Sequence, residues 1–153
     1  NKIDGMPATL GLISVLKGKD GMVVAGLTES GLKFAMMENP VIDKNDLNSP
    51  FSPEERKFLQ QLIEEQLPEE FKDIQLVLKT IDSGASDPKE LGKEIAKTKT
   101  GLSENELLSF QSGLLGRLVD LGLLIRKTVG LSSKYSLSNE GKSLVKDEII
   151  GVR

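Results

Sequence analysis

The chain has 153 residues, no cysteine and no histidine, 20 basic against 23 acidic side chains, and a formal net charge of -3. Without histidine it lacks the commonest general base and transition-metal ligand, and without cysteine it lacks disulfides and thiol chemistry. No apolar run approaches the roughly 18 residues that a membrane helix needs, so no membrane partner is expected, and the lack of cysteine makes a reducing cytoplasm the expected compartment.

In chain order, Leu10-Gly11-Leu12-Ile13 opens an extended run through Leu16, and Lys17-Gly18-Lys19-Asp20-Gly21 reads as a turn, Asp-Gly being a strong hairpin signal. Met22 to Leu27 returns as a second strand. Thr28 to Gly31 leads into a helix of Leu32, Phe34, Ala35, Met36 and Met37, which Asn39-Pro40 ends. Residues 43–52 are polar, carry Pro50 and read as a linker. Asp43, Asn45 and Glu54 fall on positions 1, 3 and 12 of a calcium loop, but Leu47 and Asn48 occupy positions that need an oxygen ligand and a glycine. The linker reading is therefore kept, and no metal or cofactor is expected.

Ser52-Pro53 with Glu54-Glu55 starts a helix striped by Phe58, Leu59, Leu62 and Ile63. Pro68 begins the next, with Phe71, Ile74, Val77, Leu78 and Ile81 on its apolar face. Asp87-Pro88 starts a third, with Leu91, Ile95 and Ala96 facing inward. Ser103 caps a fourth, whose first turn holds Glu104 and Glu106, where the helix dipole favours negative charge. Its apolar residues Leu107, Phe110, Leu114, Leu118 and Leu121 recur three or four apart and so share one face. Gly122 stops it. Leu123 to Ile125 is an extended apolar run, Val129 to Ser133 is turn-like, Lys134 to Leu137 alternates, and Ser138 caps a last helix.

From Pro68 the order is helix, helix, helix, hairpin, helix. The stretch from Leu102 to Lys142, through Arg117 to Leu124, Lys134 to Leu137 and Ser138 to Gly141, resembles the second half of a winged helix-turn-helix domain. The fold class expected from this resemblance is α+β, mostly α: a three-helix core with a β-hairpin wing and a closing helix. An internal repeat joins the two ends of the chain. Leu10 to Ile13 aligns with Leu121 to Leu124 at an offset of 111, and Leu27 to Gly31 aligns with Leu137 to Gly141 at an offset of 110. The alternative is a chance likeness of two short hairpins. On the repeat reading, 1–42 is the wing and closing helix of a first winged helix within a longer protein, 43–52 the linker, and 53–153 a complete second copy with one extra N-terminal helix.

Catalysis is not expected. The serines sit at caps and turns, no phosphate-binding GxxxxGK[ST] loop is present, and adjacent glutamates such as Glu64-Glu65 do not face each other on a helix. Charge is uneven instead: residues 53–86 carry a net -4 and residues 87–137 a net +2. Lys89, Lys93 and Lys97 are spaced by four on one helix face, with Lys99 just beyond, and Arg126, Lys127 and Lys134 fall on the hairpin. The lysine stripe also reads as an ordinary solvated face paired with Glu90 and Glu94.

The winged-helix resemblance implies a recognition helix in the major groove and a wing on the backbone. It makes Ser109, Gln111, Ser112 and Arg117 the candidate base or phosphate contacts, and Lys89, Lys93, Lys97, Lys99, Arg126, Lys127 and Lys134 the backbone contacts. Glutamine pairs well with adenine and arginine with guanine. The expected function is a DNA-binding, transcription-regulator-like module whose partner is double-stranded DNA. The alternative is a winged helix used for assembly, a homodimer or a protein complex formed through Phe58, Leu62 and Leu76 without DNA. Gly113 and Gly116 each cost a helix interior about 1 kcal/mol against alanine; a packing need inside the domain is the expected compensation, and close approach of a partner subunit or a sugar-phosphate strand is the alternative.

Overall fold

The computed structural model describes residues 5–149. The chain is α+β and mostly helical, with two separate two-stranded antiparallel hairpins. It divides into two compact units, Asn1–Pro68 and Glu69–Arg153.

The first unit contains α1 (Met6–Thr9), β1 (Ile13–Lys17), β2 (Val23–Leu27), α2 (Glu29–Ala35), α3 (Pro40–Lys44) and α4 (Pro53–Gln66). α2 stops at Ala35, before Met36, Met37 and Asn39-Pro40 are reached, and Asn39 instead starts α3, because its side chain accepts from the N–H groups of Val41 and Ile42 (both 3.0 Å). The polar stretch 43–52 is not a free tether. Asn39 Nδ2 donates to the Pro50 carbonyl (3.1 Å), and Arg56 donates to Ser49 Oγ (2.6 Å) and the Phe51 carbonyl (3.2 Å). The helix α4, assigned on sequence to the C-terminal domain, falls in the first unit: Phe34 of α2 stacks on Phe58 with ring centroids 6.1 Å apart. Ser52 and Glu55 form the capping box that starts it, and Glu55 is buried because its carboxylate also accepts from Asn39.

The second unit contains α5 (Pro68–Asp82), α6 (Pro88–Thr98), α7 (Glu104–Asp120), β3 (Leu124–Val129), β4 (Ser132–Leu137) and α8 (Asn139–Ile149). Its core is aliphatic, with Leu78, Leu91, Leu114 and Leu118 fully buried and Leu123 and Val77 nearly so. Leu107 and Phe110 of the expected α7 stripe are half-buried, and Ala96 of α6 is exposed. The second hairpin is longer than its sequence indicates: Val129 pairs with Ser132 across a two-residue Gly130-Leu131 turn, with Gly130 at φ 62°.

Both hairpins are closed in the same way. Leu10 and Leu121 end helices, and Gly11 (φ 66°) and Gly122 (φ 71°) follow in the left-handed conformation. Leu12 N–H then reaches back to Pro7 O (2.8 Å) and Leu123 N–H to Leu118 O (2.9 Å), while Gly11 N–H donates to Ala8 O (3.0 Å) and Gly122 N–H to Val119 O (2.9 Å). This is the same Schellman ending twice. At the far end, Thr28 N–H donates to Leu12 O (3.1 Å) and Ser138 N–H to Leu123 O (3.0 Å). The same two hydroxyls accept from Gly31 N–H and Gly141 N–H, each at 3.0 Å. Gly31 and Gly141 lie so close to the Leu12 and Leu123 carbonyls that neither position has room for a Cβ.

Candidate nucleic-acid interface

The second hairpin sets the geometry. Ser138 N–H bonds to Leu123 O, so hydrogen-bonded pairs recur every second residue: Ser136 with Ile125, Lys134 with Lys127, Ser132 with Val129. Side chains alternate between faces. Leu124 and Leu137 turn inward and are buried, as is Tyr135 opposite Arg126. Ile125, Lys127 and Val129 of β3 therefore share the outward face with Ser132, Lys134 and Ser136 of β4. The two lysines stand directly opposite each other, an arrangement that repels. Among the described residues neither is in an ion pair.

Arg126, on the other face, donates from Nε to Ser133 Oγ (3.0 Å) and has no acidic partner among the described residues. On α6, Lys89 and Lys93 are exposed and equally unpaired there. Lys97 is held by Glu94 at 2.6 Å, and Lys99 by Asp73 at 2.8 Å with its ammonium 5.2 Å from the Phe110 ring centroid. Among the described residues, five of the seven expected cations, Lys89, Lys93, Arg126, Lys127 and Lys134, are thus without an acidic partner.

The four α7 candidates separate into two pairs. Ser109 and Ser112 are exposed. Gln111 is only 4% exposed, and its Nε2 donates to the Pro88 carbonyl at the start of α6. It fastens two helices together and has no free reach to a base edge. Arg117 Nε lies 2.8 Å from Glu70 Oε1, and both atoms are closed to solvent without an aligned hydrogen bond. That contact is held by charge and ties α7 to α5. A close look at periodicity would have found Gln111, since it stands four residues after Leu107 and four before Leu115, inside the buried stripe. Nothing local announces the Glu70–Arg117 or Asp73–Lys99 pairs.

The α7 glycines have no packing role among the described residues. A Cβ at Gly113 would meet only Arg117 Nη1, at an ordinary 3.5 Å, and one at Gly116 would meet nothing within 4 Å. At the front of α7, Ser103 donates to Glu106 from its hydroxyl (2.6 Å) and its N–H (2.8 Å). The hydroxyl first and the N–H second hold the Glu106 carboxyl below the usual glutamate range.

Elsewhere, a hollow of about 460 Å³ is lined by Phe34, Met36, Met37 and Glu55, but that buried carboxylate is already engaged by Ser52 and Asn39. Among the described residues no three acidic side chains converge as a metal site would require, and no helix is long and apolar enough to cross a membrane. Phe58 and Leu62, expected at an assembly surface, are stacked on Phe34 and buried, respectively, and Leu76 is half-buried. Comparison with family models, with curated proteins and with solved structures returns no match.

Proposed function

We propose that the chain carries two winged helices in tandem, the first represented by its hairpin and closing helix, and that the second grips the phosphates of double-stranded DNA as a regulator-like module. The repeat is supported by the shared closure, because a chance likeness of two Leu-Gly-Leu sequences would not bring the same capping hydroxyl and the same glycine onto the same leucine carbonyl. The winged-helix assignment is supported by the helix order of the second unit and by Tyr135 N–H, which donates to Ser86 O (2.8 Å) and so holds the α5–α6 loop beside β4.

The observation that carries the DNA reading is the outward Lys127–Lys134 pair. Two like charges face each other with no acid among the described residues to neutralise them, and a phosphate between them turns repulsion into attraction. Arg126 on the other face of the hairpin and Lys89 and Lys93 on α6 are further cations without an acidic partner among the described residues. With Gln111 and Arg117 engaged inside the unit, only Ser109 and Ser112 are left to read bases, so binding is dominated by backbone contacts and tolerant of sequence. Glu104 and Glu106 at the front of α7 repel phosphates there, which leaves the grip to the wing and α6.

Fluorescence anisotropy with mixed-sequence duplexes tests this. With three to five phosphate contacts, log affinity should fall with log salt with a slope of about -3 to -5, and little preference among duplexes should be seen. No salt-sensitive binding at micromolar protein would refute it. An assembly role is favoured by one separate observation, the exposed apolar side chains of the first hairpin.

A further inference from the structure

The two hairpins place their charge at opposite ends. The first bends through Lys17-Gly18-Lys19-Asp20-Gly21 and has Leu16 and Val24 on its stem, whereas the six residues between Lys127 and Lys134 of the second carry no charge. The shared frame therefore accepts a charged turn, and nothing in the closure asks for an apolar one. Of the two central residues of the second turn only Gly130 has a positive φ (62°), the pattern of a II′ turn, in which Asn, Asp or Ser serves at the second position. Leucine stands there instead. Leu131 is fully exposed, at 110%, and Val129 at the base of the turn is 54% exposed. The helices α5, α6 and α7 that belong with this hairpin are in place, and they leave its tip bare.

We propose that Leu131 is a wedge: with Lys127 and Lys134 on a phosphate of duplex DNA, it enters the minor groove and inserts between two base pairs. The inference rests on the phosphate grip proposed above and adds where the tip goes. At about 3.4 Å per residue, Val129 stands roughly 7 Å beyond the lysine pair and Leu131 roughly 10 Å beyond it. The minor groove of B-DNA is about 7.5 Å deep, so a hairpin held at the phosphate rim by its lysines reaches the base pairs with its tip. The groove is also only about 6 Å wide. Two strands lie about 4.8 Å apart before their side chains are counted, so the ribbon fits only where the stack opens. An apolar side chain pushed between base pairs opens it. The major groove, about 12 Å wide, would admit the ribbon without strain, but Gly130 and Leu131 offer its base edges no hydrogen-bonding side chain. Pyrimidine–purine steps such as TA unstack most easily, so they are where the wedge enters.

A duplex with 2-aminopurine in place of adenine at a central TA step reports unstacking as a rise in emission. The unmodified chain should raise that emission in step with its binding, followed by anisotropy on the same duplex. Leu131→Ser should bind about fivefold more weakly, with the same salt slope, and leave the emission flat. Leu131→Met, which keeps an apolar tip, should retain both. Urea unfolding should be the same for all three chains, because the side chain buries nothing in its own unit. Salt-sensitive binding with flat emission in the unmodified chain overturns the wedge and leaves the phosphate grip standing. An equal rise from Leu131→Ser overturns it too. No salt-sensitive binding overturns grip and wedge together; if the unmodified chain but not Leu131→Ser then floats with vesicles of phosphatidylserine and phosphatidylcholine, the tip belongs to a lipid surface instead.

Discussion

At matching places on the outward faces of the two hairpins stand Leu16 with Val24 and Lys127 with Lys134. The frames beneath them are alike down to the capping hydroxyl, the glycine against a leucine carbonyl and the left-handed residue before each strand. The closure is a geometric demand that few residues can meet, so the same residues serve it in both hairpins. The outward pair meets only solvent or a partner, so it is free to diverge. The outward pair is thus apolar on one hairpin and basic on the other, and the phosphate reading proposed above rests on the basic pair.

The largest expected effect breaks the shared frame. Gly141→Ala forces a methyl group onto the Leu123 carbonyl, which is backbone and cannot swing aside, and should cost about 3 kcal/mol or more. Urea unfolding reads the loss, and Gly31→Ala should damage the first hairpin for the same reason. A neutral result in either would mean that the closures differ. Next comes the residue that distinguishes packing from recognition. Gln111→Ala strips the Pro88 carbonyl of its donor and should destabilise the second unit by about 1–3 kcal/mol. Its effect on which duplex is preferred should be nil; a changed base preference would return Gln111 to the groove.

A smaller effect has the opposite sign. Lys134→Glu replaces a repelling cross-strand pair with an attracting one and should raise stability by a few tenths of a kcal/mol while weakening DNA binding. A loss of stability would show that the repulsion is already relieved within the unit. The smallest effect concerns the α7 cap. The Glu106 carboxyl titrates below its unfolded value because Ser103 hydrogen-bonds its charged form. Its contribution is therefore complete above the unfolded glutamate value of about 4.3 and is lost as pH falls through the lower folded value. Glu106→Gln should flatten stability against pH in that acid window, lowering stability slightly at neutral pH and leaving it nearly unchanged below the folded value.

Local chemistry made much of the fold legible. Ser52 with Glu55 and Ser103 with Glu106 announce helix starts, and both form full capping boxes. Asp87-Pro88 begins α6, and the Leu-Gly-Leu repeat marks both strand entries. What stayed hidden is long-range. The placement of α4 depends on Phe34 meeting Phe58, and the withdrawal of Arg117 and Lys99 depends on Glu70 and Asp73 lying far away in sequence. Glycine has no signature that separates an open helix face from a packed one, so nothing in the sequence distinguishes Gly113 and Gly116 from packing residues, although a Cβ at Gly116 would meet nothing within 4 Å. The candidate site was legible as charge, since lysine and arginine on exposed elements declare themselves. It was illegible as availability, which only tertiary pairing decides.

The most direct test exchanges the chemistry of the two outward pairs. Duplex binding is measured across a salt series for the unmodified chain, for Lys127→Glu with Lys134→Glu, and for Leu16→Glu with Val24→Glu. Affinity should fall at least about tenfold, and the salt slope should shrink by about 2, for the lysine double variant, while the leucine–valine double variant keeps the slope of the unmodified chain. Equal losses in both, or none in the lysine pair, would contradict the assignment of phosphate binding to the second hairpin.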